Sequence, residues 1–412
     1  MSETSNARTH PHCRRWLNFT KSRLPSSRHP FGLLSSAGEA RPYTGTVPTT
    51  GDPLALGEAR RVGVVGLAVA AAVTVLSIVG TIGAPDPLAG DKALVTTGDH
   101  PHGPVAVLLD RSDGQMFAAL ARDPLLSRPQ VFREGRDAAA YRAQRPLFAY
   151  LGWALALGRP SAVGWALFAV SAIAAGLAAW AAALEIEARG GVPLLGVFVV
   201  LIPGVLVALR YATAEAVGLA LVLWALHWWR ARPWLAVVLL AAAGLTRETL
   251  LVVVLALGVE AVHRREWRRC GALGVAVAPY AVWVIVVRLR LRAWPWQGET
   301  VRTTRPLLDL AQHLPRTSAT MLIIAITLGV AAVVVRPRDV LSHVAAAHVL
   351  VVAGLGRETL AQWPSVDRVL VPLWATAFIV CGSTWSASMQ PAATEHRANS
   401  SSAGSRRRTA RG

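Results

Sequence analysis

Apolar residues in this chain do not alternate with polar ones, nor do they recur as a single stripe at helical spacing; they fall in long unbroken blocks. The most continuous are residues 62 to 83, 161 to 184 and 319 to 335. A hydrocarbon core requires about 20 apolar residues per helical crossing, and these blocks meet that length. They also lack the two-residue alternation of a membrane barrel, so helices are the way to satisfy their backbone groups in lipid. Further apolar segments lie near 146 to 158, 192 to 209, 213 to 229, 233 to 245, 249 to 262, 271 to 287, 339 to 355 and 368 to 385. The pattern predicts an all-α fold, a polytopic integral membrane helical bundle of about ten transmembrane helices.

The polar segments set the expected organisation. Residues 1 to 59 are rich in Ser, Thr, Pro and Arg with no apolar period, which reads as a disordered basic cytoplasmic tail. Residues 60 to 385 form the membrane domain, within which 85 to 145 read as a long extracytoplasmic first loop. Residues 386 to 412, with Arg397, Arg406, Arg407, Arg408 and Arg411 against Glu395, form a second basic cytoplasmic tail. Two cytoplasmic ends require an even number of crossings, so one short segment among the eleven must fail to cross, and 146 to 158 is taken as that one.

Composition agrees. The chain is 53% hydrophobic and only 16% charged, well below a soluble domain, and this excludes soluble, collagen-like and disulfide-scaffold classes. Its net charge of +18 is carried by arginine, since Lys21 and Lys92 are the only lysines. The basic residues flank apolar blocks without any nucleic-acid motif, so they read as topology signals and nucleic acid is not an expected partner. Cys13, Cys270 and Cys381 are not placed for a disulfide. His10, His12 and Cys13 form too sparse a group for a metal site.

Charged residues inside or beside apolar blocks are the candidate chemistry, because an ionisable group at the bilayer centre costs at least about 2.5 to 3.5 kcal/mol and needs a partner or a cavity. Arg247 and Glu248 interrupt residues 233 to 262 and predict a broken helix or hairpin with its vertex at Thr246, Arg247 and Glu248. They serve either as a cap, paired to each other or snorkelling, or as a substrate contact. Arg210, Tyr211 and Glu215 form a second polar vertex. In the first loop Asp113, Gly114 and Gln115 are followed by Arg122, Asp123 and Pro124, which by themselves signal turns. Arg142 and Arg145, at the entry to the next apolar segment, read locally as interfacial anchors.

The order of these elements carries more than each alone. An anchor helix, a loop with Asp113-Gly114-Gln115 and then Arg122-Asp123-Pro124, a Tyr141-Arg142-x-x-Arg145-Pro146 entry, Tyr211-x-Thr213-x-Glu215, and Leu245-Thr246-Arg247-Glu248-Thr249 together resemble bacterial cell-surface glycopolymer formation proteins of the GT-C superfamily. The resemblance covers residues 105 to 385. It implies a membrane glycosyltransferase, a hexosyl- or pentosyltransferase, in the bacterial cytoplasmic (inner) membrane. It further implies a polyprenyl-phosphate-linked sugar as donor and a cell-envelope glycan or glycopolymer as acceptor. The catalytic base would be Asp113, with Asp110 and Asp123 as alternatives because no second acid adjoins Asp113. Substrate contacts would come from Gln115, Arg145, Arg210, Glu215, Arg247 and Glu248. No cofactor is implied, and the need for a divalent metal stays open. A transporter or flippase of lipid-linked sugars, and a non-catalytic envelope-assembly scaffold, are the competing expectations.

Overall fold

The computed structural model describes residues 53–82, 104–110, 113–127, 135–295, 316–353 and 363–389; the expected tails lie almost wholly outside them. Every described element is helical. In chain order these are α1 (Pro53–Val79), α2 (Pro104–Asp110), α3 (Gly114–Arg122), α4 (Gly135–Ala143), α5 (Pro146–Leu155) and α6 (Val163–Glu187). A 3-10 segment (Pro193–Leu201) leads into α7 (Pro203–Tyr211), then α8 (Glu215–Trp228), α9 (Pro233–Thr246), α10 (Leu251–His263) and α11 (Trp267–Leu291). The last three are α12 (Arg316–Val335), α13 (Val340–Ala353) and α14 (Trp363–Met389).

Five of these helices, spanning Gly57–Val79, Pro160–Glu187, Trp267–Leu291, Arg316–Val335 and Val366–Met389, are long and apolar enough to cross a membrane. α1, α11 and α12 turn large apolar side chains outward, among them Leu76 at 70% exposure, Leu289 at 72% and Val334 at 74%. Water would penalise whole faces of that kind, whereas lipid would not. The architecture therefore fits a multi-pass helical membrane protein.

α6 lies at the centre, packed by α1, α5, α8 and the 3-10 segment, while α14 is clasped by α12, α13 and α7. Alanine makes the central packing close: Ala175, Ala178, Ala179, Ala181, Ala182 and Ala183 of α6 are all buried. Dispersion contacts between close backbones replace the hydrophobic drive that lipid does not supply.

The expected first loop is not irregular where it is described. It contains α2, α3 and α4, and the buried side of α3 packs on α5 through Phe117, whose ring meets Phe148 edge-on at 5.1 Å. The segment expected as one helix over 192 to 209 is broken: the 3-10 stretch and α7 meet at 58°. The cause is Pro203, which removes a backbone donor and holds Ile202 extended at ψ 128°. α1 starts at Pro53, inside the stretch expected to be tail, and α14 runs to Met389, past the expected limit at 385. At the start of α1, Pro53 suits the first helical position because its φ is already helical and its missing N–H is not needed there.

The helix between 233 and 262 breaks at the predicted vertex. α9 ends at Thr246, Arg247 is extended (φ −159°, ψ 124°), and a short 3-10 turn Glu248–Leu250 starts α10. α8, α9, α10 and α13 have only 14, 14, 13 and 14 residues. At 1.5 Å per residue each is about 20 Å long.

Candidate functional site

Five chain segments separated in sequence bring charged groups to one end of the bundle. Asp113 precedes α3, and Gly114 next to it lies so close to the end of α7 that a Cβ there would strike the Tyr211 carbonyl. Only glycine lets α3 start at that spot, so an acidic residue after Asp113 is excluded sterically. After α7 the chain reverses at Ala212, in left-handed backbone with φ 50°, which sets Glu215 at the first turn of α8. Gly204 makes a similar close approach: a Cβ would strike the Asp367 backbone carbonyl, and α14 thereby presents Arg368 beside α7.

Arg368 is the bridge. Its Nη1 donates to Asp113 Oδ2 at 2.8 Å and its Nε to Glu215 Oε1 at 2.6 Å. The second oxygen of Asp113 accepts from Arg142 of α4, and Glu215 Oε1 also accepts from Arg247. Arg145, capping α5, grips Glu248 with two N–H groups at 2.8 and 2.6 Å and donates to the Tyr141 hydroxyl at 3.3 Å. The planar fork of arginine matches a carboxylate in this way. Next to this pair the Tyr280 hydroxyl donates to Gln144 at 3.0 Å and Trp283 Nε1 to the Ala143 carbonyl at 2.7 Å, which fastens α11 to the α4–α5 turn.

The hub thus joins four guanidiniums, Arg142, Arg145, Arg247 and Arg368, to three carboxylates, Asp113, Glu215 and Glu248. Its formal charge is one positive unit. Burial by itself raises the Asp113 carboxyl; Arg368, then Arg142 and Arg145, outweigh that and hold it well below the usual carboxylate range. Asp113 is ionised, and 18% of its side chain is exposed at the rim of the hub, whereas Glu215 is exposed by only 2%. Arg247 Nε is buried and finds no acceptor among the described residues.

Of the residues singled out in the sequence, Asp113, Arg145, Glu215, Arg247 and Glu248 come together. Gln115 is buried in the first turn of α3, two residues past Asp113. Arg210 does not join: it is exposed and lies over the Tyr211 ring at 5.2 Å. Arg247 and Glu248 are not paired to each other, because the extended backbone at Arg247 sends adjacent side chains to different partners. Nor are Arg142 and Arg145 simple interfacial anchors, since both donate to carboxylates of the hub. Asp123 accepts from the Ser127 amide at 2.9 Å and hydroxyl at 2.6 Å at the turn after α3. Asp110 is the last residue of α2.

Arg368 was not singled out in the sequence. The signal available was its place at the start of an apolar block beside Asp367, where it read as a segment boundary. Among the described residues no three His, Cys, Asp or Glu side chains gather as a metal would need. No protein-family model, curated protein or solved structure matches the chain, and its function is therefore argued from this site.

Proposed function

We propose that the chain is an integral membrane glycosyltransferase that moves a sugar from a polyprenyl-phosphate donor to a cell-envelope glycan or glycopolymer. The observation that supports this best is Asp113, an ionised and partly exposed carboxylate at the rim of a hub of four guanidiniums. The acceptor hydroxyl attacks the anomeric carbon, the bond from that carbon to the lipid phosphate oxygen breaks, and the hydroxyl proton passes to Asp113. The lipid phosphate leaves with the electron pair, and its charge is met by guanidinium forks. A carboxylate held by two arginines is a weak base. A donor phosphate that draws Arg142 or Arg368 to itself loosens that hold and makes Asp113 more basic when the substrate is in place.

The same reading takes the bundle as ten crossings with both ends cytoplasmic. A second ionic cluster supports it: Arg189 donates to Asp339 at 2.8 and 2.9 Å and to the Glu185 carbonyl at 2.7 Å, and His227 meets Glu185 at 3.0 Å. α8 runs from Glu215 in the hub to His227 in this cluster, so the two clusters mark opposite ends. Successive helices from α6 to α14 alternate between them, counting the 3-10 segment with α7. α5 instead starts in the hub and is followed by Pro160, whose carbonyl accepts from Arg122 of α3 at 3.5 Å, so it returns without crossing.

Transfer is tested with full-length protein in liposomes, labelled polyprenyl-phosphate sugars and envelope acceptors. Asp113→Asn, which keeps shape but cannot take a proton, should lower the rate by about 10² to 10⁴ with insertion intact. Donor consumption at the wild-type rate in this variant refutes the base assignment. The two broken segments, at Pro203 and Arg247, favour a flippase as the second reading. Flux of lipid-linked sugar that survives Asp113→Asn but not Arg247→Ala would select it.

A further inference from the structure

The end of the bundle opposite the hub carries a group of arginines for which the proposed reaction has no use. The turn after α8 and the turn after α10 lie side by side, since Arg230 approaches Glu260 to 3.7 Å and the Arg269 guanidinium sits 5.6 Å from the centre of the Trp229 ring. Together they hold Arg230, Arg232, Arg264, Arg265, Arg268 and Arg269 against two acids. Glu260 is taken by Arg264 at 3.0 Å and by Arg230, and Glu266 by Arg269 at 2.6 Å. Arg232, Arg265 and Arg268 are exposed, and among the described residues no carboxylate pairs with them. Arg232 lies over the Trp228 ring at 4.7 Å, a cation–π contact that holds the guanidinium at this turn.

Several observations beyond charge give this patch a shape. Trp234 and Trp267 flank it, each 66% exposed, as aromatic side chains do at the boundary between headgroups and acyl chains. Arg265 is held in left-handed backbone at φ 59°, which fixes where its side chain leaves the turn. Arg268 and Arg269 lie in the first turn of α11, at the positive end of its dipole, where Glu266 just before the helix pairs with Arg269 and leaves Arg268 to face the dipole. One turn further along, Gly271 and Gly274 are exposed, with open space where a Cβ would stand. With no side chain at these two positions, three residues apart on one helix face, the exposed side of α11 has a shallow furrow there.

We propose that the paired turns bind an anionic phospholipid, with Arg232, Arg265 and Arg268 on the headgroup phosphate, Trp234 and Trp267 at the level of the glycerol, and an acyl chain lying in the furrow at Gly271 and Gly274. The inference stands apart from the glycosyltransferase reading, because none of its residues belongs to the hub.

The test is lipid retention by the full-length protein in detergent, followed by native mass spectrometry during titration with phosphatidylglycerol or phosphatidylcholine of matched chains. Each arginine near a surface contributes about fivefold, so the triple change Arg232→Gln, Arg265→Gln, Arg268→Gln should weaken phosphatidylglycerol by about a hundredfold and leave phosphatidylcholine unchanged. Arg60 and Arg61 are also exposed and basic but lie on α1, and Arg60→Gln with Arg61→Gln should leave retention as in wild type. Gly271→Leu, which fills the furrow without touching charge, should shorten retention as well. Equal loss in the Arg60 and Arg61 variant would show a general effect of positive charge and overturn the site. Displacement of the lipid by millimolar inorganic phosphate would overturn it too, by assigning the arginines to a soluble anion. Should the triple variant unfold, the single change Arg268→Glu serves, with selective loss of phosphatidylglycerol supporting the site and unchanged retention refuting it.

Discussion

Replacing Arg368 by glutamine removes the one side chain that ties Asp113 to Glu215. Two charge-assisted hydrogen bonds are lost, at 2.8 and 2.6 Å, and each such bond contributes about 1.5 to 3 kcal/mol. Removing a partner from a buried ion pair costs about 3 to 5 kcal/mol when it strands a charge. Neither carboxylate is stranded fully here, because Asp113 keeps Arg142 and Glu215 keeps Arg247. Arg368→Gln should therefore destabilise by about 2 to 3 kcal/mol. Arg368→Lys keeps the charge but has no fork to reach both acids, and should recover about half of that loss. Unfolding in mixed micelles by titration with dodecyl sulfate measures both, and a cycle with Glu215→Gln isolates the coupling. Neutral bonds between membrane helices average only about 0.6 kcal/mol, so a value in that range for Arg368→Gln would mean that the hub is solvated and that the reasoning from buried charge fails.

Arg145→Lys should destabilise by about 1.5 to 3 kcal/mol through loss of one of the two bonds to Glu248, and Glu248→Gln should add little in the double variant; full additivity in the same micelle assay would contradict a single unit. Because Asp113 titrates below its ordinary value of 3.8, its contribution is complete above that value and is lost as pH falls beneath it. The stability gap between wild type and Asp113→Asn should thus be flat from about pH 8 down to about pH 5 and narrow only below about pH 4, and a gap that narrows near neutrality would refute the ion pairing. In a background with Cys13, Cys270 and Cys381 changed to Ser, a cysteine at exposed Asp137 should react with an impermeant maleimide from outside, and one at exposed Arg338 should not. Reaction of both from the same side would end the ten-crossing topology.

The apolar blocks announced the helices well, because a segment with no water to bond must close its own hydrogen bonds wherever it lies. Arg247 and Glu248 likewise marked a true break, since two adjacent charges cannot be hidden along a lipid-facing helix. What each charge pairs with was not legible. Arg368 is 255 residues from Asp113 and 153 from Glu215, and only the close approaches at Gly114 and Gly204 bring them together. The bend at Pro203 was visible as Ile202-Pro203-Gly204 but lay hidden in hydropathy, because isoleucine and its neighbours are as apolar as the helix they interrupt.

The shortness of α8, α9, α10 and α13 bears on which membranes suit the protein. If these four cross as the proposed ten-crossing topology has them, helices of about 20 Å fall short of a hydrocarbon core of about 30 Å, and lipid beside them thins or the polar hub sinks below the headgroups. Acyl-chain length then becomes a control on the hub: shorter chains bring it level with the interface, and longer ones place its guanidiniums deeper among methylenes. A thin bilayer would favour its function, and reconstitution across a series of chain lengths would show that preference as a maximum.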